Sequence, residues 1–352
     1  MTPVTVAMAG DTMLGRGVGE RLARSPQPGT VLAPEVRDVI AGADLCVLNL
    51  ECCVSARGEP WPQPGKPFFF RAPPAAADVL AELGVDCVTL ANNHALDYGY
   101  DALADTLRLL HRAGVRTVGA GPDVAAARAG VMLEAGGLRL AVVGATDHPE
   151  DFAAGAGRPG VALAELRRGV PAWLREEVAR AAGRADAVLV TPHWGPNMTS
   201  APPHHLRGAA AELRECGATL VAGHSAHVFH GAGERIVHDM GDFVDDYAVD
   251  PVLRNDLGLL FLVTFEAAAG GSAGPPGAWR PVRLEALPLL LDYCRTELAR
   301  GAEWEWVRDR FTRASAALGT RVTAHGDRLV VHWGREETDT ADSRDTASDQ
   351  AE

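Results

Sequence analysis

Short apolar runs in this chain keep ending in the same kinds of residue. Val88-Thr89-Leu90 passes through Ala91 into Asn92-Asn93-His94, and Val188-Leu189-Val190 passes through Thr191-Pro192 into His193. Leu220-Val221-Ala222 passes through Gly223 into His224-Ser225-Ala226-His227. Two earlier runs end in carboxylates, Val4–Ala9 before Gly10-Asp11 and Leu45–Leu50 before Glu51. Strands buried on both faces read as unbroken apolar runs. Residues just past their carboxyl ends line the crevice where open α/β sheets bind ligands. Five such edges carrying His, Asn, Asp and Glu predict a metal-binding enzyme.

The rest of the chain alternates in the same way. Further strands are expected at 116–119, 138–145, 235–239, 257–265 and 280–290, with helices at 33–41, 75–83, 100–112, 172–182 and 204–215. Leu103, Leu107 and Leu110 repeat at helical spacing, as do Leu206, Ala210 and Leu213, so each set predicts one buried stripe. The later strands lack helices between them, which predicts a mixed sheet or a second layer. A C-terminal helix is expected over 297–318. Gly- and Pro-rich breaks at 25–29, 58–67, 153–160 and 267–277 read as loops, because ligand-bearing strands flank the first three. One domain over 1–334 is therefore expected, followed by a disordered acidic tail at 335–352, which has seven acids against two arginines and few apolar residues.

Composition narrows the partners. A net charge of −13 argues against nucleic acid. No apolar run approaches the ~20 residues a membrane-crossing helix needs, and the first residues do not read as a signal peptide, so a cytoplasmic protein is expected. The six cysteines form no CxxC and read as reduced filler, including Cys52-Cys53 beside Glu51. Of 33 basic residues only Lys66 is lysine. With Arg71 it flanks Pro67-Phe68-Phe69-Phe70, which is either a loop anchored by aromatics or a cationic patch for a substrate carboxylate or phosphate. Asp97 either caps the following helix or orients His94. Trp194 either walls a pocket or packs in the core. His204, His205, His230 and His238 read as surface or core histidines.

Taken in order, several pieces of the chain resemble the CapA/PgsA family, named for poly-γ-glutamate capsule synthesis. They are Gly10-Asp11-Thr12-Met13-Leu14-Gly15-Arg16-Gly17, Asn49-Leu50-Glu51, Lys66-Pro67 with Phe70-Arg71, and Leu90-Ala91-Asn92-Asn93-His94-Ala95-Leu96-Asp97-Tyr98-Gly99. Val118-Gly119-Ala120-Gly121, His193-Trp194-Gly195-Pro196-Asn197, Gly223-His224-Ser225-Ala226-His227-Val228 and Gly241-Asp242-Phe243 complete the set. The resemblance implies an α/β sandwich of the calcineurin-like metallophosphoesterase type, with two central mixed sheets flanked by helices. It implies metal ligands at Asp11, Glu51, Asn93, His193, His224 and His227, suited to Ca, Mn, Zn or Fe, and no organic cofactor. His94 matches a histidine that serves phosphoesterase relatives as a proton donor. Phosphoesterases of this fold carry Asp-x-His after the first strand, whereas this chain has Asp11-Thr12-Met13. The missing nitrogen ligand argues for one metal per chain rather than the two that clamp a phosphate ester.

The resemblance includes relatives that introduce D-residues into peptides. It therefore implies a metal-dependent peptide epimerase that inverts a Cα centre, acting on the C-terminal residue of a ribosomal, lasso-type precursor. Such chemistry needs acid–base groups on two faces of the Cα. The candidates are the His/Asp pairs that Asp11, His94, Asp97 and His227 can form, with Lys66 or Arg71 holding a terminal carboxylate and Trp194 lining the site. A phosphoesterase and a non-catalytic component of capsule-polymer synthesis are the alternatives.

Overall fold

In a computed structural model of the chain, residues 2–62, 64–267 and 278–333 are described. Their strands form two large sheets. The first runs in the order Thr323–His325, Arg328–His332, Trp279–Leu291, Leu257–Ala267, Val4–Thr12, Leu45–Leu50, Cys87–Thr89, Arg116–Val118. The second runs Ala232–Gly233, Ile236–Val237, Leu220–Ala222, Ala187–His193, Leu138–Thr146, Val131–Ala135. Both mix parallel and antiparallel pairs. Val4–Thr12 is parallel to Leu45–Leu50 and antiparallel to Leu257–Ala267.

Alternation along the strands builds the layers. Val4, Val6 and Met8 face the second sheet and pack with its Leu138, Leu140, Val142 and Leu189. Ala7 and Ala9, from the opposite face of the same strand, join a cluster with Val36, Ile40, Leu103 and Leu110 from the helices. The second sheet turns Val188 and Val190 outward against Leu174 and Val178 of helix Ala172–Ala182 and Leu206, Ala210 and Leu213 of helix His204–Glu215. Two sheets with helices on both outer faces result, which is the expected layering.

Three expectations change in detail. Arg16–Arg24 is a helix that the apolar pattern does not announce, because its apolar residues Val18 and Leu22 are few among charged neighbours. The C-terminal helix is Gly301–Ala316, and Thr296–Leu298 ahead of it pairs as a strand with Trp279–Leu291. Leu107 is only partly buried, and Leu109 takes its place on the stripe. The acidic tail at 335–352 and nearly all of the 267–277 break lie outside the described residues. No helix among the described residues is long and apolar enough to cross a membrane.

The cysteines are free thiols, and all but Cys216 are buried. Burial lifts the Cys52 and Cys87 thiols to about 12. Since the thiolate is the reactive form, a disulfide reagent added to the folded protein is expected to titrate one thiol, at Cys216, and all six only after denaturation. Rapid modification of several thiols in the native protein would contradict this packing.

Candidate functional site

The carboxyl ends of the parallel strands meet at one edge, where the two sheets come together. Asp11 is the penultimate residue of Val4–Thr12, Glu51 follows Leu45–Leu50, and His94 lies in the turns after Cys87–Thr89. His193 ends Ala187–His193, and His224 lies two residues past Leu220–Ala222. The His193 and His224 segments are zipped together, with Trp194 N donating to His224 O at 3.0 Å and His224 N to Pro192 O at 3.0 Å. The edge is tightly packed around Gly10, where a Cβ would lie 2.0 Å from the Gly241 carbonyl oxygen. The backbone of 241–244 thus runs directly beside Asp11.

Asp11 is at the centre and wholly buried. Its Oδ1 accepts from Asn49 Nδ2 at 2.7 Å and lies 3.6 Å from His224 Nδ1. Its Oδ2 accepts from Ser225 N at 3.3 Å and lies 3.3 Å from His227 Nδ1. Burial alone would raise this carboxyl, but His227 and His224 carry it below the usual carboxylate range. His224 Nδ1 faces His193 Nδ1 at 2.9 Å, and its Nε2 meets Thr191 Oγ1 at 3.1 Å. His227 Nδ1 also lies 2.8 Å from Asp242 Oδ1. Burial disfavours the His227 imidazolium, yet Asp242, Glu51 and Asp11 together hold its pKa well above the ordinary value.

The second His–carboxylate pair stands across Glu51. His94 Nδ1 is 2.6 Å from Asp97 Oδ2, and its Nε2 points towards Glu51 Oε1 at 3.8 Å. Asp97 Oδ2 also accepts from Phe70 N at 2.6 Å, and Lys66 Nζ lies 2.9 Å from its Oδ1. The helix Gly99–Arg112 has Tyr98 at its N-cap with no side-chain cap. Asp97 therefore orients His94 and does not cap the helix. Burial lowers the His94 pKa, with Asp97 opposing, which favours the neutral imidazole.

Whether a metal fits here is a question of unpartnered atoms. Both carboxylate oxygens of Glu51 are buried without a hydrogen bond, as are Asn93 Oδ1, His193 Nε2 and Asp242 Oδ2. Burial and then the Asp11 charge push the Glu51 carboxyl well above its usual range. Unpaired buried carboxylates are costly unless they meet a cation. Asp11, His193 and His224 offer ligand atoms within 4.8 Å of one another, and so do Asp11, His227 and Asp242. The donor set fits a hard or borderline divalent cation.

Some residues assigned from sequence do other things. Lys66 is not free for a substrate, because it is spent on Asp97 and on the Asn93 carbonyl, to which Nζ donates at 2.7 Å. Arg71 turns away to the carbonyls of Arg57 and Gly58 and stacks 4.0 Å over the Tyr98 ring. Trp194 is core, with Nε1 donating to His238 O at 2.8 Å. Met13, where a further nitrogen ligand was missed, is fully buried in the apolar cluster. Asn49, Asn92 and Asp242 were passed over. Asn92 Nδ2 donates to Asn49 Oδ1 at 3.0 Å and so props the amide that holds Asp11. The signals were present in Asn49-Leu50-Glu51 and Gly241-Asp242-Phe243, but the alternation pattern does not single them out.

A family model described as "Bacterial capsule synthesis protein PGA_cap" matches residues 5–247. A probable polyglutamine synthesis accessory protein of Mycobacterium tuberculosis is 32% identical over 93% of this chain and 95% of its own length. The PGA biosynthesis protein CapA of Bacillus subtilis is 27% identical over 69% of this chain and 63% of its own.

Proposed function

The chain belongs to the bacterial capsule synthesis protein family PGA_cap, and from that membership and the buried edge we propose that it is a metal-dependent peptide epimerase acting by two-base chemistry. One observation carries this reading. Of the four histidines around Asp11 and Glu51, His94 and His227 keep some exposure, at 7% and 8%, while His193 and His224 are at 1% and zero. In each open ring Nδ1 is held by carboxylates, Asp97 for His94 and Asp11 with Asp242 for His227. Nε2 is then the nitrogen available for proton exchange, and the carboxylate fixes the tautomer.

In this reading one imidazole Nε2 takes the Cα proton from one face of a bound peptide residue. The bond's electrons pass into the neighbouring carbonyl, giving an enolate. The other histidine delivers a proton to the opposite face, and the electrons return to Cα. Atoms and charge balance without an external reagent. Each positioned acid–base group contributes on the order of 10²–10⁴-fold. Glu51, Asn93, His193 and His224 with Asp11 would hold a divalent cation, which when bound supplies positive charge against a developing oxyanion. Lys66 and the Phe70 N–H hold the Asp97 carboxylate in place. A cytoplasmic setting and a peptide partner belong to the same reading, and the C-terminal residue of a ribosomal precursor is its most specific form.

Solvent deuterium is the test. Candidate precursor peptides incubated in D2O with the protein and divalent metal should gain one deuterium at a single Cα, and chiral analysis of the hydrolysate should find a D-residue there. No deuterium in any peptide would sink the proposal and leave an accessory role in polymer assembly, as the names of the relatives suggest. A second reading, metal-dependent phosphoesterase, is favoured by the two ligand groups at this edge, Asp11 with His193 and His224 and Asp11 with His227 and Asp242, because residues for two ions would supply the positive charge that phosphate-ester hydrolysis needs on its attacking and leaving oxygens. Two ions per chain together with turnover of a simple phosphate ester would select it.

A further inference from the structure

We propose that Arg16 is the anchor for a substrate carboxylate at the mouth of this site, the role that Lys66 and Arg71 cannot fill. The proposal rests on the acid–base reading above, and it identifies the feature of the substrate that the site selects.

The site has a charge problem. Asp11, Glu51, Asp97, Asp239, Asp242, Asp245 and Asp246 are all buried within it or beside it. An anionic peptide end would be repelled unless a cation met it. Lys66 and Arg71 are occupied as described above. Arg16 is placed differently. Its guanidinium carbon lies 5.4 Å from the ring centre of Phe68, 5.6 Å from that of Phe70 and 5.8 Å from that of Tyr247. Two of those rings touch the open histidines. Phe70 lies 4.1 Å from His94 and Tyr247 lies 5.2 Å from His227, centre to centre. Arg16 thus bridges the aromatic walls that flank both proton-transfer rings.

Its support is built in. One guanidinium nitrogen, Nη2, pairs with Asp246 Oδ1 at 3.0 Å, while the side chain stays 35% exposed. Asp246 Oδ2 accepts from Gly17 N at 2.8 Å, which braces the carboxylate. A planar fork braced on one side still offers donors on the other, in the geometry a carboxylate prefers. Arg16 itself sits at φ 46°. That left-handed conformation costs a non-glycine residue free energy and is found where the surroundings impose it, functional sites among them. Phe68, 53% exposed beside the guanidinium, gives an apolar side chain of the same terminal residue a surface to lie on.

The anion is therefore a carboxylate of the residue whose Cα is attacked, and the free C-terminus is the source we assign. Calorimetric titration of the metal-loaded protein with acetyl-Gly-Gly-Phe as free acid, the same peptide as C-terminal amide, and acetyl-Gly-Gly-Glu amide separates the possibilities. The free acid is expected to bind at least tenfold more tightly than either amide. Arg16→Gln should erase that preference, and Arg16→Lys should keep part of it, with melting curves confirming that both variants fold. No binding of the free acid, equal binding of acid and Phe amide, or a preference that survives in Arg16→Gln each overturns the proposal. Preference for the Glu amide over the free acid overturns the assignment to the C-terminus. Selective binding of the free acid without any Cα deuteration would sink the epimerase reading and leave the anchor standing.

Discussion

Replacing His94 by Gln is expected to slow Cα deuteration by about 10³-fold, the middle of the range for a lost acid–base group, with little change in melting temperature. The contrast follows from where the ring sits. Nδ1 is taken by Asp97, Nε2 faces the site, and the ring lies 4.1 Å from Phe70, a contact that a glutamine side chain partly keeps. The neighbouring change is not equivalent. Asp97→Asn would strip the partner from Lys66 Nζ at 2.9 Å as well as from His94. Breaking a buried pair costs about 3–5 kcal/mol, so that variant should lose both activity and stability. Parallel exchange and thermal-denaturation measurements separate the two effects. Unchanged exchange in His94→Gln would remove His94 from the mechanism, and an unchanged melting point in Asp97→Asn would remove the Lys66–Asp97 brace.

Removing divalent metal with a chelator should lower the melting temperature by about 3–5 °C, and adding metal back should restore it. The cause is the carboxylate cluster. Glu51 has two unpartnered buried oxygens, Asp242 Oδ2 is a third, and burial raises the carboxyls of both residues. A cation at a hundred times its dissociation constant stabilises by about 2.7 kcal/mol, and each kilocalorie moves a chain of 352 residues by about 1–2 °C. Glu51→Gln should act in opposite directions on the two forms. It relieves repulsion in the metal-free protein and raises its melting point, while abolishing the gain on adding metal. Elemental analysis of the same samples counts the ions. A melting point indifferent to chelator, with Glu51→Gln still responding like the parent, would show that no metal belongs at this edge.

Much of this site was legible in the sequence for a physical reason. A strand covered on both faces must be apolar along its length and can change character only where it leaves the sheet. Asp11, Glu51, His94, His193 and His224 are each announced by the run that precedes them, and the structure brings all five to one edge. Helix positions were legible on the same grounds, except where charge outweighed a short apolar face, as in Arg16–Arg24, while the start of Gly301–Ala316 and the burial of Leu107 were not.

What the sequence could not decide was pairing across distance and competition for a single group. Asp242 faces Asp11 because its strand runs parallel to Val4–Thr12 in a fixed register, a relation between residues more than two hundred positions apart. Asp97 had two local options, and the Phe70 N–H and the Lys66 ammonium arriving from a distant loop settle it on His94. The same contact ties Lys66 to Asp97, whereas Arg16 pairs with Asp246 and keeps its side chain 35% exposed. Local patterns encode which side chains are buried and where strands stop. Which charged group meets which follows from packing, because a buried charge goes to the partner that the tertiary fold brings within reach.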